Sequence, residues 1–233
     1  MTRVAEVFLI FSVLLLSGCS GYYSTLDPAG PYARSVAWIW WGMFIVATLV
    51  LFGVCGLWWY AMRKRSRDYS DLEVRRVLNR FILAGGTGLP VVAMTVLLAF
   101  GIPEGHKMMP WPDARALHID VHAKRWEWQV KYPKQNIQLT DEIHIPVDTP
   151  IDVYVTSADV IHGFWVPRLG GKIDAIPGRT NVVRIQADKP GSYGGQCAEY
   201  CGQSHAFMKF EVVAHSASDF KNWLAQQHEG KNE

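Results

Sequence analysis

The sequence predicts an all-β domain, a sandwich or barrel, that follows a hairpin of two transmembrane helices. Two long runs without charged residues lie before residue 103, and each is long enough for a helix to cross a bilayer. After Leu117 the apolar residues instead come in short alternating runs, separated by clusters that contain glycine and proline. Such alternation is typical of strands, and a succession of short strands favours a sandwich or barrel.

Composition excludes some classes of protein. The 233 residues carry a formal net charge of only +2, and the basic residues cluster beside an apolar run, so nucleic-acid binding is not indicated. The four cysteines, Cys19, Cys55, Cys197 and Cys201, stand in very different contexts. A shared disulfide framework is therefore not expected, and Cys55, inside an apolar run, is interpreted as a small apolar filler.

The N-terminus has the pattern of a signal peptide over residues 1–18. Arg3 precedes an apolar stretch, and small residues lead to a cysteine. The ending LSGC resembles the lipobox of bacterial lipoproteins, which predicts that Cys19 is lipidated and begins the mature chain. Glu6 is an unusual charge here, so an uncleaved signal anchor stays open as the alternative. Residues 19–35 are then a short periplasmic segment.

Two transmembrane helices are predicted, over residues 36–62 and residues 81–103. Both stretches lack charge, and the first has tryptophan clusters near both ends, where aromatic residues favour the membrane interface. The connecting loop, residues 63–80, is rich in arginine, and the positive-inside rule places such a loop in the cytoplasm. The rest of the chain then lies on the periplasmic side of a bacterial inner membrane.

The exported domain is predicted over residues 104–215, followed by a C-terminal helix and tail over residues 216–233. Its strand patterns lie at residues 117–122, 143–157, 180–187 and 207–213. Its predicted turn clusters are RLGGK, IPGR and DKPGSYGG.

The chemistry-bearing stretch is GGQCAEYCGQSHAFMKF, which places Cys197, Cys201, His205 and Met208 within twelve positions, with His162 as a candidate upstream. Thiolates, imidazoles and a thioether are soft donors, which favour copper over hard cations. A structural zinc site closes at four Cys and His ligands and would leave Met208 without a role. Two thiolates on one loop can bridge two metal ions, and that arrangement suits an electron relay.

Alternatives to a copper electron relay stay open for these residues. In an oxidising periplasm Cys197 and Cys201 could form a disulfide, and a zinc site is a second possibility. A membrane-anchored copper chaperone for oxidase assembly is the alternative function, because it can pair C-x-x-x-C with a distant histidine. Such a chaperone needs a thioredoxin-like βαβ pattern, which these strands do not have. The remaining histidines are interpreted as core or surface residues: His106, His118, His122, His144, His215 and His228.

The pattern C-x-E-x-C-x-x-x-H-x-x-M, with a histidine upstream in SADVIHGFWVP, resembles the CuA motif of cytochrome c oxidase subunit II. The likeness covers roughly residues 36–225. It implies an all-β cupredoxin domain, a Greek-key β-sandwich or barrel, after a two-helix transmembrane hairpin. It also implies a respiratory function, in which electrons from cytochrome c reach a dinuclear copper centre and pass to heme in subunit I, where oxygen is reduced to water.

The same resemblance implies the copper ligands, with bridging thiolates, terminal imidazoles, a weak thioether and one backbone carbonyl: Cys197, Cys201, His162, His205, Met208 and Glu199. The Glu199 carboxylate would also help to hold a magnesium ion at the interface with subunit I. Asp174 would belong to the same interface. The implied partners are subunit I, subunit III and the lipid bilayer.

Electron donation is predicted to involve two further residues. Trp126, in AKRWEWQVKYP, matches the tryptophan through which electrons enter, and Asp159 matches an acid that docks cytochrome c. The chain departs from the family in lacking an acidic insertion after this stretch, and it has Lys131 and Lys134 nearby. We therefore expect the donor to be a membrane-held or less basic cytochrome rather than a soluble basic cytochrome c.

A second departure lies at the start of the second span. Phe81 to Leu83 stand where the family often has a glutamate near a proton channel, so the resemblance does not extend to proton uptake. A quinol oxidase subunit of the same fold is the close rival. By the same resemblance, subunits of that type lack the copper ligands that are present here.

Overall fold

The computed structural model describes residues 20–64 and 69–229. The described residues divide into two units, one within residues 38–107 and the other made of residues 20–37 and 108–229. The predicted signal peptide and Cys19 lie outside the described residues.

Two helical stretches are long and apolar enough to cross a membrane. The first is α1 (Pro31–Arg63). The second consists of α2 (Asp71–Arg80), a π-helical stretch (Phe81–Gly88) and α3 (Leu89–Lys107). Their large apolar side chains are exposed, as expected for surfaces that lipid would cover.

Both helices extend beyond the predicted spans. The first begins at Pro31 rather than residue 36, and the second begins at Asp71 rather than residue 81 and ends at Lys107 rather than residue 103. At the earlier start Ser70 forms a capping box, in which its side chain accepts from the Glu73 N–H and Glu73 accepts from the Ser70 N–H at 3.1 Å. The reason for the difference is that charged residues limit the membrane-crossing part without ending the helix.

The domain is a sandwich of two five-stranded sheets, as the fold prediction requires. The first sheet has the order β3-β2-β1-β5-β8, with β1 (Leu117–Lys124), β2 (Glu127–Tyr132), β3 (Ile137–Thr140), β5 (Ile151–Ser157) and β8 (Asn181–Ile185). The second has the order β4-β10-β9-β6-β7, with β4 (Glu142–Pro146), β6 (His162–Trp165), β7 (Ile173–Ala175), β9 (Gly191–Cys197) and β10 (Lys209–His215).

The core lies between the two sheets. Along β5 buried and half-buried residues alternate, which is the period of two that a strand imposes on its side chains. Trp128 is fully buried, and its ring centroid lies 5.7 Å from that of Phe164 and 5.3 Å from that of Phe210. This aromatic cluster supports the ends of β6 and β9, where the predicted ligands lie.

One turn prediction was wrong. The segment DKPGSYGG was predicted as a turn, but its second half belongs to β9. Phe210 pairs directly with Gly195 across β9 and β10, and its ring occupies the place that a Cβ at Gly195 would take. Gly194 is covered in the same way by Tyr22 and Tyr23. These glycines therefore serve close ring packing within a strand rather than a change of chain direction.

We predict that Gly195→Ala destabilises the domain. The added methyl group would collide with the Phe210 ring, which cannot move freely because it packs on Trp128 and Phe164. Such overpacking costs about 1–3 kcal/mol in the free energy of unfolding. Denaturant unfolding of the metal-free, full-length chain in detergent measures it, with Ser192→Ala on the same strand as the control. Equal stability of the two variants would contradict the prediction.

An N-terminal strap, residues 20–30, packs on the domain. The Ala29 N–H donates to the Arg168 carbonyl at 2.8 Å, and the Ala29 carbonyl accepts from the Asp188 N–H at 2.9 Å. Asp27 forms an ion pair with Arg168 at 2.7 Å, and Tyr22 donates to Glu211 at 2.8 Å. Residues 20–30, which the sequence prediction places in a separate periplasmic segment, therefore pack as part of the β-sandwich domain.

The predicted C-terminal helix is present as α4 (Ala217–Glu229). Trp223 of this helix stacks on His144 of β4, with ring centroids 4.3 Å apart. His144 in turn lies 2.7 Å, nitrogen to nitrogen, from His215 and 2.8 Å from a carboxylate oxygen of Glu142. Burial lowers the pKa of His144, and the neighbouring His215 lowers it further. Glu142 and Glu211 act in the opposite direction.

This histidine predicts a pH dependence of stability. Because its pKa is lower in the folded protein, protons bind the unfolded chain more tightly. The stability that neutral His144 contributes is therefore fully present above the ordinary histidine pKa of about 6.5, and it is lost as the pH falls below that value. We expect His144→Gln to show a smaller loss of unfolding free energy between neutral and mildly acidic pH than wild type, and His122→Gln, on the other sheet, serves as the matched control substitution. An unchanged pH slope in His144→Gln would count against this role.

Candidate metal centre

The predicted metal loop connects β9 to β10 and is held at both ends by backbone hydrogen bonds. Cys197, the last residue of β9, donates its N–H to the Met208 carbonyl at 2.9 Å. The Ala198 N–H donates to the Gly163 carbonyl at 2.8 Å, which fixes the loop beside β6. His162 is the first residue of β6, so pairing of β6 with β9 brings this distant histidine to the loop.

All of the predicted donors surround the sulfur atoms of Cys197 and Cys201, which are 3.7 Å apart and belong to free thiols. The distances from Cys197 Sγ are 3.9 Å to His162 Nδ1 and 3.1 Å to the Glu199 carbonyl oxygen. Those from Cys201 Sγ are 3.6 Å to His205 Nδ1 and 3.7 Å to Met208 Sδ. Among the described residues, ligand atoms of His162, Cys197 and Cys201 lie within 4.8 Å of one another.

Most of the predicted donors are buried. His162 and Met208 are almost completely buried, and both cysteines are buried as well. Burial, together with the neighbouring Cys197 thiol, raises the pKa of Cys201 to about 12. A positive charge beside the thiol is therefore needed before it ionises near neutral pH, and a bound metal ion supplies one.

The donor set fits copper better than the alternatives. Soft sulfur and imidazole donors select copper, whereas a closed zinc tetrahedron would leave the Met208 thioether and the Glu199 carbonyl outside it. Cys197 Sγ lies near His162 and Cys201 Sγ lies near His205, so each sulfur has one imidazole and the other sulfur among its neighbours.

Asp159 fixes the orientation of His162. The His162 Nε2 atom lies 2.8 Å from Asp159 Oδ1, so Nε2 carries the proton and Nδ1 is free to face Cys197. Burial by itself would raise the pKa of Asp159, but hydrogen bonds from His162, Arg125 and Val160 outweigh it and hold the pKa well below its usual range. The carboxylate is thus ionised beside the site.

Trp126 lies beside the metal loop and remains accessible. Its side chain is 38% exposed, and a Cβ at Gly202 would lie 3.5 Å from its ring. Trp128, two residues later, is instead buried in the core, with its ring centroid 6.1 Å from that of His162. Of the two tryptophans, only Trp126 offers a surface to a partner.

The two acids predicted for the interface are both exposed. Glu199 lies on the metal loop, and Asp174 lies on β7 opposite Gly163. Gly163 contacts the loop backbone, since a Cβ there would come within 2.9 Å of Ala198 and Glu199. Both acids therefore belong to the same end of the second sheet.

The sequence did not single out several residues that shape the site. A glycine directly after a predicted ligand histidine, as at Gly163, is a usable signal for close backbone approach. Two exposed aromatic residues also lie on the loop, Tyr200 and Phe207, at 76% and 81% exposure, and the Tyr200 ring centroid lies 5.7 Å from that of His205. The contact of Arg125 with Asp159 has no local signal in the sequence.

Comparison with known proteins gives the family. The profile described as "Cytochrome C oxidase subunit II, periplasmic domain" matches residues 129–215. Cytochrome c oxidase subunit 2 of Alkalihalophilus pseudofirmus is 34% identical over 93% of this chain, and the chain spans 66% of that relative. Ubiquinol oxidase subunit 2 of Acetobacter aceti is 30% identical over 96% of this chain and 75% of its own length. The chain belongs to the cytochrome c oxidase subunit II family.

The family thus includes relatives named for different electron donors. Among solved structures, the periplasmic domain of subunit II of cytochrome oxidase from Bradyrhizobium japonicum is 36% identical, covers 51% of this chain and 97% of its own, and has a TM-score of 0.48. Family membership places the chain in heme-copper oxidases. It does not choose between cytochrome c and quinol as donor.

Proposed function

We propose that this chain is the copper-containing subunit II of a respiratory cytochrome c oxidase. It accepts electrons from a cytochrome at a dinuclear copper centre and passes them to heme in subunit I, where oxygen is reduced to water. The observation that carries the proposal is the convergence of the whole predicted donor set on the thiols of Cys197 and Cys201. The chain alone does not reduce oxygen.

The proposed copper ligands are His162, Cys197, Cys201, His205, Met208 and the backbone carbonyl of Glu199. When bound, the copper pair supplies one-electron redox chemistry with little change in geometry. The protein contributes a buried and rigid setting, because β6, β9 and the loop backbone fix His162, Cys197 and Met208 from three sides. Such a setting limits the rearrangement that accompanies each electron.

Quinol oxidase subunits are the main alternative, because several relatives bear that name. In a chain without copper, two buried thiols beside two imidazoles and a thioether would have no function. A copper chaperone is disfavoured by the fold, since the strands from Leu117 to His215 have no α-helix between them. The donor set therefore favours the cytochrome c oxidase.

The deciding experiment is copper loading of the full-length chain in detergent, followed by metal analysis and electron paramagnetic resonance. The full chain is needed because the N-terminal strap is part of the domain. We expect two copper ions per chain and the hyperfine pattern of one electron shared by two copper nuclei. Retained zinc, a disulfide between Cys197 and Cys201, or a single-copper spectrum would overturn the proposal and favour the chaperone.

We predict that Trp126→Phe slows electron delivery and leaves the copper spectrum unchanged. The exposed indole lies between the surface and the metal loop, and a smaller ring leaves a gap there. The oxidation rate of reduced cytochrome c by the complete oxidase should fall by about tenfold or more, which corresponds to ~1.4 kcal/mol in the barrier. Trp111→Phe, another exposed tryptophan, is the control. An unchanged rate in Trp126→Phe would exclude it as the point where electrons enter.

The remaining site assignments extend this proposal. The Glu199 carboxylate would help to hold a magnesium ion shared with subunit I, because hard cations bind carboxylate oxygens. Asp174, at the same end of the second sheet, would belong to that interface. The expected donor is a membrane-held or less basic cytochrome, since no acidic patch accompanies Trp126 in the sequence. Subunit III is the further partner.

Membrane attachment is proposed from the two apolar helices and the loop charge. Residues 63–80 face the cytoplasm, residues 104–215 form the periplasmic copper domain, and residues 216–233 end the chain there. The Arg63 guanidinium lies 4.1 Å over the Trp59 ring, a pairing suited to the interfacial end of a span. Lipidation of Cys19 would provide a second anchor.

A further inference from the structure

Asp159 connects the His162 side chain to the backbone that carries Trp126. Its Oδ1 atom lies 2.8 Å from His162 Nε2, and its Oδ2 atom accepts from the Arg125 N–H at 2.9 Å. The Arg125 guanidinium lies 3.6 Å from the same Oδ2 atom. Since Arg125 directly precedes Trp126, one carboxylate contacts both a proposed copper ligand and the neighbour of the proposed point where electrons enter.

The carboxylate is itself fixed by the turn around it. Oδ1 accepts from the Val160 N–H at 2.6 Å, and the Asp159 N–H donates to Ser157 Oγ at 3.2 Å. Ser157 is buried and donates to the Val160 carbonyl at 2.5 Å. The orientation of Asp159 is therefore set by its own loop.

We propose that Asp159 is a positioning residue. It holds the His162 ring with Nδ1 toward Cys197, and it holds the Arg125 backbone so that the Trp126 ring stays against Gly202. This inference rests on the proposed function and adds to it a link between the metal ligand and the electron donor's side of the site.

A docking role makes different predictions from a positioning role. The Asp159 side chain is 26% exposed, and both of its oxygens are engaged within the chain. A docking charge attracts the cytochrome donor as the two proteins associate. Its loss therefore raises KM and weakens the dependence of the rate on salt concentration. A positioning residue acts on the site, so its loss changes the copper spectrum, the reduction potential and kcat.

The experiment compares Asp159→Ala, Asp159→Asn and Glu127→Gln in the full-length chain. Glu127 lies next to Trp126 and contacts Gln129 rather than His162, so its variant removes a nearby negative charge without touching the ligand. The copper-loaded chains are measured by electron paramagnetic resonance and redox titration. The complete oxidases are assayed with a soluble basic cytochrome c as the probe donor.

We expect Asp159→Ala to alter the hyperfine pattern and to lower kcat by about tenfold or more, with KM changed by less than about twofold. The reduction potential should rise, because the lost carboxylate favours the more positive, oxidised site. Asp159→Asn keeps an acceptor for His162 Nε2, so it should restore much of the spectrum while retaining the raised potential. If Asp159→Ala does not fold, the raised potential in Asp159→Asn remains the test.

Two results would overturn the inference. If the Asp159 variants keep the wild-type spectrum, potential and kcat but raise KM as Glu127→Gln does, Asp159 is a docking residue. If the wild-type chain itself gives no dinuclear copper signal, the proposed function fails and this inference fails with it. The wild-type spectrum therefore distinguishes the two failures.

Discussion

Replacing Cys201 by serine is expected to abolish the dinuclear copper signal and electron transfer from cytochrome c. The Cys201 sulfur has three of the other donors, those of Cys197, His205 and Met208, within 3.7 Å. A serine hydroxyl is a harder donor that does not ionise near neutral pH, so it cannot bridge two copper ions. The rate of cytochrome c oxidation should fall by about a hundredfold or more, equal to ~2.7 kcal/mol in the barrier.

Cys55→Ser provides a matched control for this experiment. Cys55 is an exposed free thiol on α1, outside the domain that contains the donor set, so the same chemical change should leave both copper and rate unaltered. The measurements are metal analysis and electron paramagnetic resonance on the chain, and turnover of the complete oxidase. A Cys201→Ser chain that still gives the wild-type copper spectrum would refute the ligand assignment.

Arg184→Met should cause the largest loss of stability in the domain. Arg184 is 7% exposed and forms a two-pronged ion pair with Asp152, at 2.6 and 2.8 Å. It also donates to the Trp111 carbonyl at 2.6 Å, which ties the segment before β1 to β8. Removing one partner leaves the Asp152 carboxylate, which is only 13% exposed, without its counter-charge, and this costs about 3–5 kcal/mol in the free energy of unfolding.

Denaturant unfolding of the metal-free chain measures this loss. Arg115→Met breaks the ion pair with Asp113, in which the arginine side chain is 78% exposed, and we expect only a small change there because water replaces the partner. The double variant Arg184→Met with Asp152→Leu should recover much of the stability, since no buried charge is left. If Arg184→Met is as stable as Arg115→Met, the pair does not have this role.

Much of the site could be predicted because its residues are close in sequence. Cys197, Cys201, His205 and Met208 lie on one loop, and the identity of the donors alone favours copper. His162 is a candidate that lies far upstream in the sequence, and the structure brings this residue to the loop through the pairing of β6 with β9. The roles of these residues as copper ligands remain predictions.

Other predictions failed or were incomplete where distant segments meet. Gly194 and Gly195 were assigned to a turn because glycine often marks one, yet the rings of Tyr22, Tyr23 and Phe210 explain their presence in a strand. Tyr22 reaches Glu211 across 189 positions of sequence. No local pattern encodes such a contact.

The sequence by itself determined the two apolar spans, the β character of the second half and the soft donor loop, because each depends on the chemistry of neighbouring residues. The tertiary structure alone decided the strap over β9 and β10 and the link from His162 through Asp159 to Arg125. These features depend on which strands and loops become neighbours in space. Strand pairing and core packing make that choice, and they act over the whole chain.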